Sequence, residues 1–252
     1  MLSIARAKYG IRFHDVFFAA DPANFQYESC LAHFSQAAAP LDGFSPCMTR
    51  IVDLSSDEGV LFAQLSSSTR YKIRRAEREG IIPFFSANPT DGDIESFCDH
   101  FDVFARQKRL PPSNRNKLFG LRQASSLILT SALDAQQSLL VSHAYIADSA
   151  GMRMRLLYSA SHFRSVDDTE ERNRIGRANR LLHWHDMRSA WSHGYQHYDL
   201  GGFPMNQDDP EKNAIARFKS EFGGTSVLEY NGVCSQHRLI RRSIPAIKRI
   251  FA

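Results

Sequence analysis

Apolar positions recur at helical spacing from Phe62 through Leu65 and Ile73 to Ala76, until Gly80 closes the run. This predicts a helix capped by Ser55 or Ser56, with a strand before it at Thr49 to Leu54 and one after it at Ile81 to Phe85. A second helix is predicted over Asp93 to Lys108, then a loop at Pro111-Pro-Ser-Asn114 and a helical stretch near Leu118 to Ala124. The period then changes. Leu139 to Ala147 and Met154 to Ser161 are short, apolar and separated by the turn-forming Asp148-Ser-Ala-Gly151, so they read as a β-hairpin continuing an antiparallel sheet. A helix from Ala178 to His193 is followed at once by Gly194 and a strand, Tyr195 to Leu200. After a loop from Gly201 to Asp209 come a short helix through Phe222, the turn Gly223-Gly224 and a last strand near Ser226 to Tyr230.

The chain has 252 residues, 43% of them hydrophobic, enough to bury a core without help from disulfides or metal. Cys30, Cys47, Cys98 and Cys234 lie far apart and form no C-x-x-C pair, which argues against a zinc knuckle or a disulfide framework and fits a reducing compartment. Arg6, Lys8, Arg12, His14 and Asp15 interrupt every apolar run near the N-terminus, and no run of apolar residues is long enough to span a bilayer. A soluble, cytoplasmic protein is expected. Residues 1–47 end in the turn-rich stretch Pro40 to Pro46 and read as an N-terminal extension, residues 48–236 as the main domain, and 237–252 as a basic tail.

The net charge is +4, with the basic residues concentrated at 70–78, 172–180 and 238–249. Such clusters suit phosphorylated ligands or anionic surfaces, and the chain lacks the zinc-finger, RRM or interleaved aromatic patterns of nucleic-acid binders. The stretch Arg172-Asn-Arg-Ile-Gly176-Arg-Ala178-Asn179 is expected to open a helix, so that backbone N–H groups and the positive end of the helix dipole form an anion cradle. Gly176 would admit close approach, Ala178 keeps its position small, and Arg172, Arg174 and Arg177 supply charge, with Asn173 and Asn179 alongside. The competing reading is an arginine-rich helix start on the surface.

Three further segments occur in a telling order: Arg70-Tyr-Lys-Ile-Arg-Arg-Ala-Glu-Arg-Glu-Gly80, Tyr198-Asp-Leu-Gly-Gly202 and Arg217-Phe-Lys-Ser-Glu-Phe-Gly-Gly224. With Asn173-x-x-Gly176-x-Ala178, which matches two of three fixed positions of a GNAT pyrophosphate loop, they resemble the FemAB branch of the GNAT acyltransferase superfamily over residues 48 to 230. The resemblance implies an α/β fold with a GNAT-like mixed, mainly antiparallel sheet and helices on both faces. It also implies two central strands, here Met154 to Ser161 and Tyr195 to Leu200, that splay apart around the acyl donor. The implied activity is direct transfer of an acyl group, with acyl-CoA as donor, to an amine or hydroxyl of a small or glycan- or lipid-linked acceptor in cell-envelope biosynthesis. FemAB enzymes that build peptidoglycan cross-bridges carry two such domains. This chain has room for one, and a second copy in a homodimer is one way to supply the other. Two alternatives stand beside the first reading: an aminoacyl transferase fed by aminoacyl-tRNA, and a non-catalytic ligand-binding module of the same fold.

Several residues are candidates for the chemistry. Arg70, Arg74 and Arg78 follow one another at i, i+4 and i+8 and can grip an anionic acceptor or form a solvated face with Glu77 and Glu79. Asp199, at a strand end before two glycines, can orient or deprotonate the nucleophile, or bond the Gly201 and Gly202 amides as a turn former. The resemblance places Lys219 at the active site. His143 shares a strand face with Val141 and Tyr145, as a core histidine or as a base, and Tyr158 is a candidate proton donor to the leaving group. His183 and His185 point to different sides of their helix, so no metal is expected. The tail from His237 to Phe251 mixes isoleucines with arginines and lysines and either packs on its own domain or rests on anionic lipid, a peripheral contact at the inner face of the membrane.

Overall fold

In the computed structural model, residues 1–8, 10–26, 31–161, 166–203 and 210–235 are described. Ten strands form one sheet: β1 (Leu2–Lys8), β2 (Ile11–Phe17), β3 (Leu31–Ala37), β4 (Ser45–Asp53), β5 (Ile82–Ser86), β6 (Leu127–Leu133), β7 (Leu139–Asp148), β8 (Arg153–Ser161), β9 (His197–Phe203) and β10 (Thr225–Ser235). Their order across the sheet is β1-β2-β3-β10-β4-β9-β8-β7-β6-β5. Neighbours are antiparallel except β2 with β3 and β8 with β9. Six α-helices, α1 (Glu58–Gln64), α2 (Ser67–Arg78), α3 (Asp91–Lys108), α4 (Arg115–Gln123), α5 (Thr169–Ser192) and α6 (Pro210–Ser220), and a 3-10 turn at Pro22–Asn24 complete the described elements. The α/β, mixed and mainly antiparallel sheet is the one expected. No described helix is long and apolar enough to cross a membrane.

Strand alternation divides the core between the two faces. Ile128 and Ala132 of β6 and Val141 and Tyr145 of β7 pack with Leu61, Ile73, Ala178, Leu182 and Met187 from α1, α2 and α5. Leu127 and Leu129 of β6 and Ala144 and Ile146 of β7 point the other way, onto Phe97, Phe101, Leu118 and Leu121 of α3 and α4. Helices therefore cover both faces.

Local chemistry explains most element ends. Thr90 and Asp93 form a reciprocal capping box that starts α3, two residues before the expected Asp93. The single helix predicted up to Gly80 is instead two, because Leu65 turns extended to bury its side chain and Ser66 caps a new helix by accepting from the Thr69 N–H. The first cap is Asp57, not Ser55 or Ser56. A cap of this kind contributes about 1 kcal/mol, enough to favour a break where the apolar stripe already has a buried anchor.

The N-terminal segment, expected as an extension, supplies β1, β2 and β3 to the same sheet. Its charges do not interrupt the strands because they pair across them. Arg6 on β1 donates to Asp15 on β2, and the Ser3 hydroxyl lies 3.0 Å from His14 Nδ1. The tail from His237 onward lies outside the described residues.

Candidate functional site

The two central parallel strands pair at only three positions, Arg153 with His197, Met154 with Tyr198 and Arg155 with Asp199. Both strands continue, β8 to Ser161 and β9 to Phe203, so beyond Arg155 and Asp199 they part. On its other side, β8 carries a bulge. Ala144 faces Tyr158 and Tyr145 faces Leu156, which leaves Leu157 with no opposite number on β7. Beyond that rung β8 and β9 exchange no further ladder pairs, and this break in the ladder forms a slot between the strands. At its inner end the strands still touch: Gly201 has φ +77°, and a Cβ there would lie 2.9 Å from the Leu156 carbonyl oxygen. Only glycine fits that crossing.

Lys219 of α6 reaches this crossing and donates to the carbonyls of Gly201 at 3.0 Å and Gly202 at 2.6 Å. Burial brings its pKa down to about 8, with Arg155 adding to the effect and Asp199 opposing it. The amine therefore loses its proton far more readily than an exposed lysine.

Asp199 is fully buried. Its carboxylate accepts from Arg153 Nη2 at 2.6 Å, Gln36 Nε2 at 2.9 Å, the Thr49 hydroxyl and the Gly201 N–H at 2.8 Å. Burial alone would raise its pKa, but the charges of Arg153 and Arg155 and the Thr49 bond hold it below the ordinary value. A carboxylate so occupied has no lone pair to offer a nucleophile. The turn-former alternative is the one observed for Gly201, and the proposed role as a base is corrected. Arg153 also holds Glu229 at 2.7 Å, so this network ties β3, β4, β8, β9 and β10 together beneath the slot.

His143 lies in the core, on the face shared with Val141 and Tyr145, and does not reach a cleft. Its Nδ1 stands 2.9 Å from Asp186 Oδ2, and the Asn179 side-chain amide lies 2.9 Å from its Nε2. Tyr145 donates to the same Asp186 oxygen at 2.6 Å, and its hydroxyl meets that of Tyr198, which meets His183 Nδ1, each at 2.8 Å. Burial, together with the charge of His143, pushes the His183 pKa well below its ordinary value. The ligand atoms of His143, His183 and Asp186 all lie within 4.8 Å of one another, a grouping that spacing along the helix did not reveal. In this structure those atoms bond to protein partners, and the network knits α5 to β7 and β9.

The expected anion cradle is also corrected. Helix α5 begins at Thr169, capped by Asp168, whose side chain accepts the Glu171 N–H at 2.8 Å. Residues 172–179 therefore lie inside the helix, where their N–H groups face carbonyls one turn back, as Arg172 N–H does with Asp168 at 3.0 Å. The true N-terminus carries Asp168, Glu170 and Glu171, which already answer the dipole. Nor are the arginines free. Arg172 donates to the Asp167 carbonyl at 2.9 Å, Arg174 to Asp134 at 2.6 Å, and Arg177 to both Glu79 and Glu170 at 2.8 Å. Ala178 is buried, Asn173 is exposed, and a Cβ on Gly176 would meet open space.

Arg70, Arg74 and Arg78 do share one flank of α2 and, with Ser67, Tyr71 and Glu77, line an open concavity of about 790 Å³. Arg70 is partly committed to the Ala63 and Leu65 carbonyls at the end of α1, and Arg74 lies over the Phe62 ring. Tyr158 sits on the opposite face of the sheet from Lys219's helix packing, against Phe97 and Phe101, and its hydroxyl accepts the Asn114 N–H at 3.2 Å.

No family model matches the sequence, and a search of curated proteins finds no match. Solved structures do match. FemX superposes with a TM-score of 0.62 over 85% of this chain and 68% of its own, at 14% identity. The chain shares the fold of FemX. The C-terminal domain of a putative lysylphosphatidylglycerol synthetase from Agrobacterium fabrum gives 0.57 over 97% of this chain and 84% of that one, at 13% identity. L-PGS from Bacillus licheniformis gives 0.54 over 87% and 72%, at 12% identity. At these identities the likeness is one of fold.

Proposed function

We propose that this chain transfers an acyl group, in the broad sense that includes aminoacyl, to an amine or hydroxyl acceptor by direct attack at the β8–β9 slot. The observation that carries this reading is the loss of ladder pairing after Arg155 and Asp199 together with the bulge at Leu157, a break in the ladder in the middle of the sheet. An oxyanion formed at the donor carbonyl would be met by a β8 N–H and by the positive charges of Lys219 and Arg155. The acceptor's nucleophilic atom forms a bond to the carbonyl carbon, the bond to the donor's leaving group breaks, and the proton lost by the acceptor passes to that group or to solvent. No covalent enzyme intermediate is needed.

Acyl-CoA remains one donor, but its phosphates would have to be held elsewhere than at residues 172–179. The acidic start of α5 favours the second donor, an aminoacyl-tRNA, whose phosphates spread over a wide surface instead of converging on one helix end. A neighbour in fold named for lysylphosphatidylglycerol, an aminoacyl conjugate, supports the same choice. Calorimetry with CoA beside a tRNA retention assay at two ionic strengths tests the pair. Salt-sensitive tRNA retention without CoA binding is expected; CoA binding with no tRNA retention would reverse the ranking. If intact-mass analysis finds no acyl transfer from either donor to an amine panel, the transferase reading fails.

A further inference from the structure

Between α3, α4 and the bulged part of β8 lies a cavity of about 430 Å³. Phe101, Phe104, Leu110 and Leu157 give it apolar walls, and Lys117 and Tyr158 bring polar atoms into it. The charges around this cavity do not balance. Lys117 is only 13% exposed, and its nearest carboxylate, Asp15, stands 3.9 Å away, beyond hydrogen-bond reach and already engaged by Arg6 and His33. Behind it, Arg155 is close enough for its charge to act on both Lys117 and Tyr158. Arg155 has a buried Nε with no hydrogen-bond partner, because Asp199, opposite it in the ladder, is occupied by Arg153. Of the charges that act on Lys117, Arg6 and Arg155 are positive like it and Asp15 is the one carboxylate. Buried cations without counter-charges are costly, and a fold keeps them where a ligand supplies the missing charge.

We propose that this cavity binds the oxyanion of a substrate, a carboxylate or phosphate carried on a short apolar stem, through Lys117 and Tyr158 with Arg155 behind them. Tyr158 is suited to the part. Its oxygen accepts from Asn114, which leaves its own O–H to donate, and burial raises its pKa so that it keeps this proton. Lys117 contributes the charge, and the apolar wall takes the stem. Leu157 belongs both to this wall and to the bulge beside the slot, so a molecule anchored here lies next to the reacting strand. That the anchored molecule is the acceptor rests on the transfer reading; that the cavity takes an oxyanion does not.

The test uses the full chain and three probes of similar size: hexanoate, monobutyl phosphate and the uncharged hexanamide, each titrated by calorimetry at low salt. One or both anions are expected to bind while hexanamide does not, and the better anion identifies the headgroup. Lys117→Met, which keeps the stem volume, should weaken that binding roughly ten-fold or more, and Tyr158→Phe several-fold, because each removes one donor to a charged group. Tyr158→Phe keeps the aromatic packing and serves as the second variant if Lys117→Met does not fold. Equal binding of hexanamide, no binding of either anion to the native chain, or unchanged affinity in folded variants would overturn the proposal. Anion binding without any acyl transfer would leave it standing while the transferase reading fell.

Discussion

Arg155 faces Asp199 directly in the last rung of the β8–β9 ladder, yet the carboxylate bonds to Arg153 instead. The acid that ends the pairing is spent on holding the sheet together, and the arginine beside it is left with charge to offer the slot.

Removing that acid should therefore act on stability before it acts on chemistry. Asp199→Ala is expected to cost about 3–5 kcal/mol in urea unfolding, because it strands Arg153 and the partners beneath the slot. A variant that unfolds like the native chain but has lost transfer activity would return Asp199 to the role of base.

Acid should loosen the N-terminal strands. Asp15 is buried, which would raise its pKa, but the His33 bond and the charges of Lys117 and Arg6 bring it down to about 2. Its folded value lies below the ordinary 3.8, so its contribution is fully present above that value and is lost as pH falls toward 2. The contribution is about 2 kcal/mol. Chemical denaturation between pH 5 and about 2 should show a steeper loss for the native chain than for Asp15→Asn.

Lys219, with its pKa near 8, should imprint that value on the reaction. If its charge serves the oxyanion, kcat/KM falls as pH rises through about 8, and Lys219→Met lowers the rate by roughly 10²–10³ while removing that limb. A rate that climbs through the same pH would mean that the neutral amine acts as a base.

Gly176 should behave as an ordinary helix residue. Open space surrounds its Cβ position and its φ is helical, so Gly176→Ala is expected to raise stability by about 0.5–1 kcal/mol. Gly176→Glu should leave tRNA retention nearly unchanged. A collapse of CoA binding in the well-folded Gly176→Glu protein would restore the phosphate cradle.

How much of this was legible depends on the range over which each feature is set. The hairpin of β7 and β8, the helix of α3 and the strand of β9 follow from patterns local to a few residues, and their limits agree with the sequence to within a few positions. The start of α5 is legible too: Asp167-Asp168-Thr-Glu-Glu171 is an acidic helix start, and it precedes the arginines at 172, 174 and 177. Strands β1 to β3 were hidden because β2 buries residues on both faces, so alternation gives no signal, and because its Asp15 needs a partner that local sequence cannot name.

The elements from β4 to β10, apart from β6 and with α1 and α2 read as one helix, the turn glycines and the resemblance to the FemAB-like GNAT fold are legible in the chain alone. Which charges are neutralised was decided only in three dimensions. Asp199 meets Arg153, Thr49 and Gln36 from three other strands, His143 meets Asp186 across the sheet from a helix, and Lys117 is left with no carboxylate within hydrogen-bond reach. A side chain's charge is local, but its counter-charge is whatever the packed sheet brings within about 3 Å, and that distance is a property of the tertiary structure.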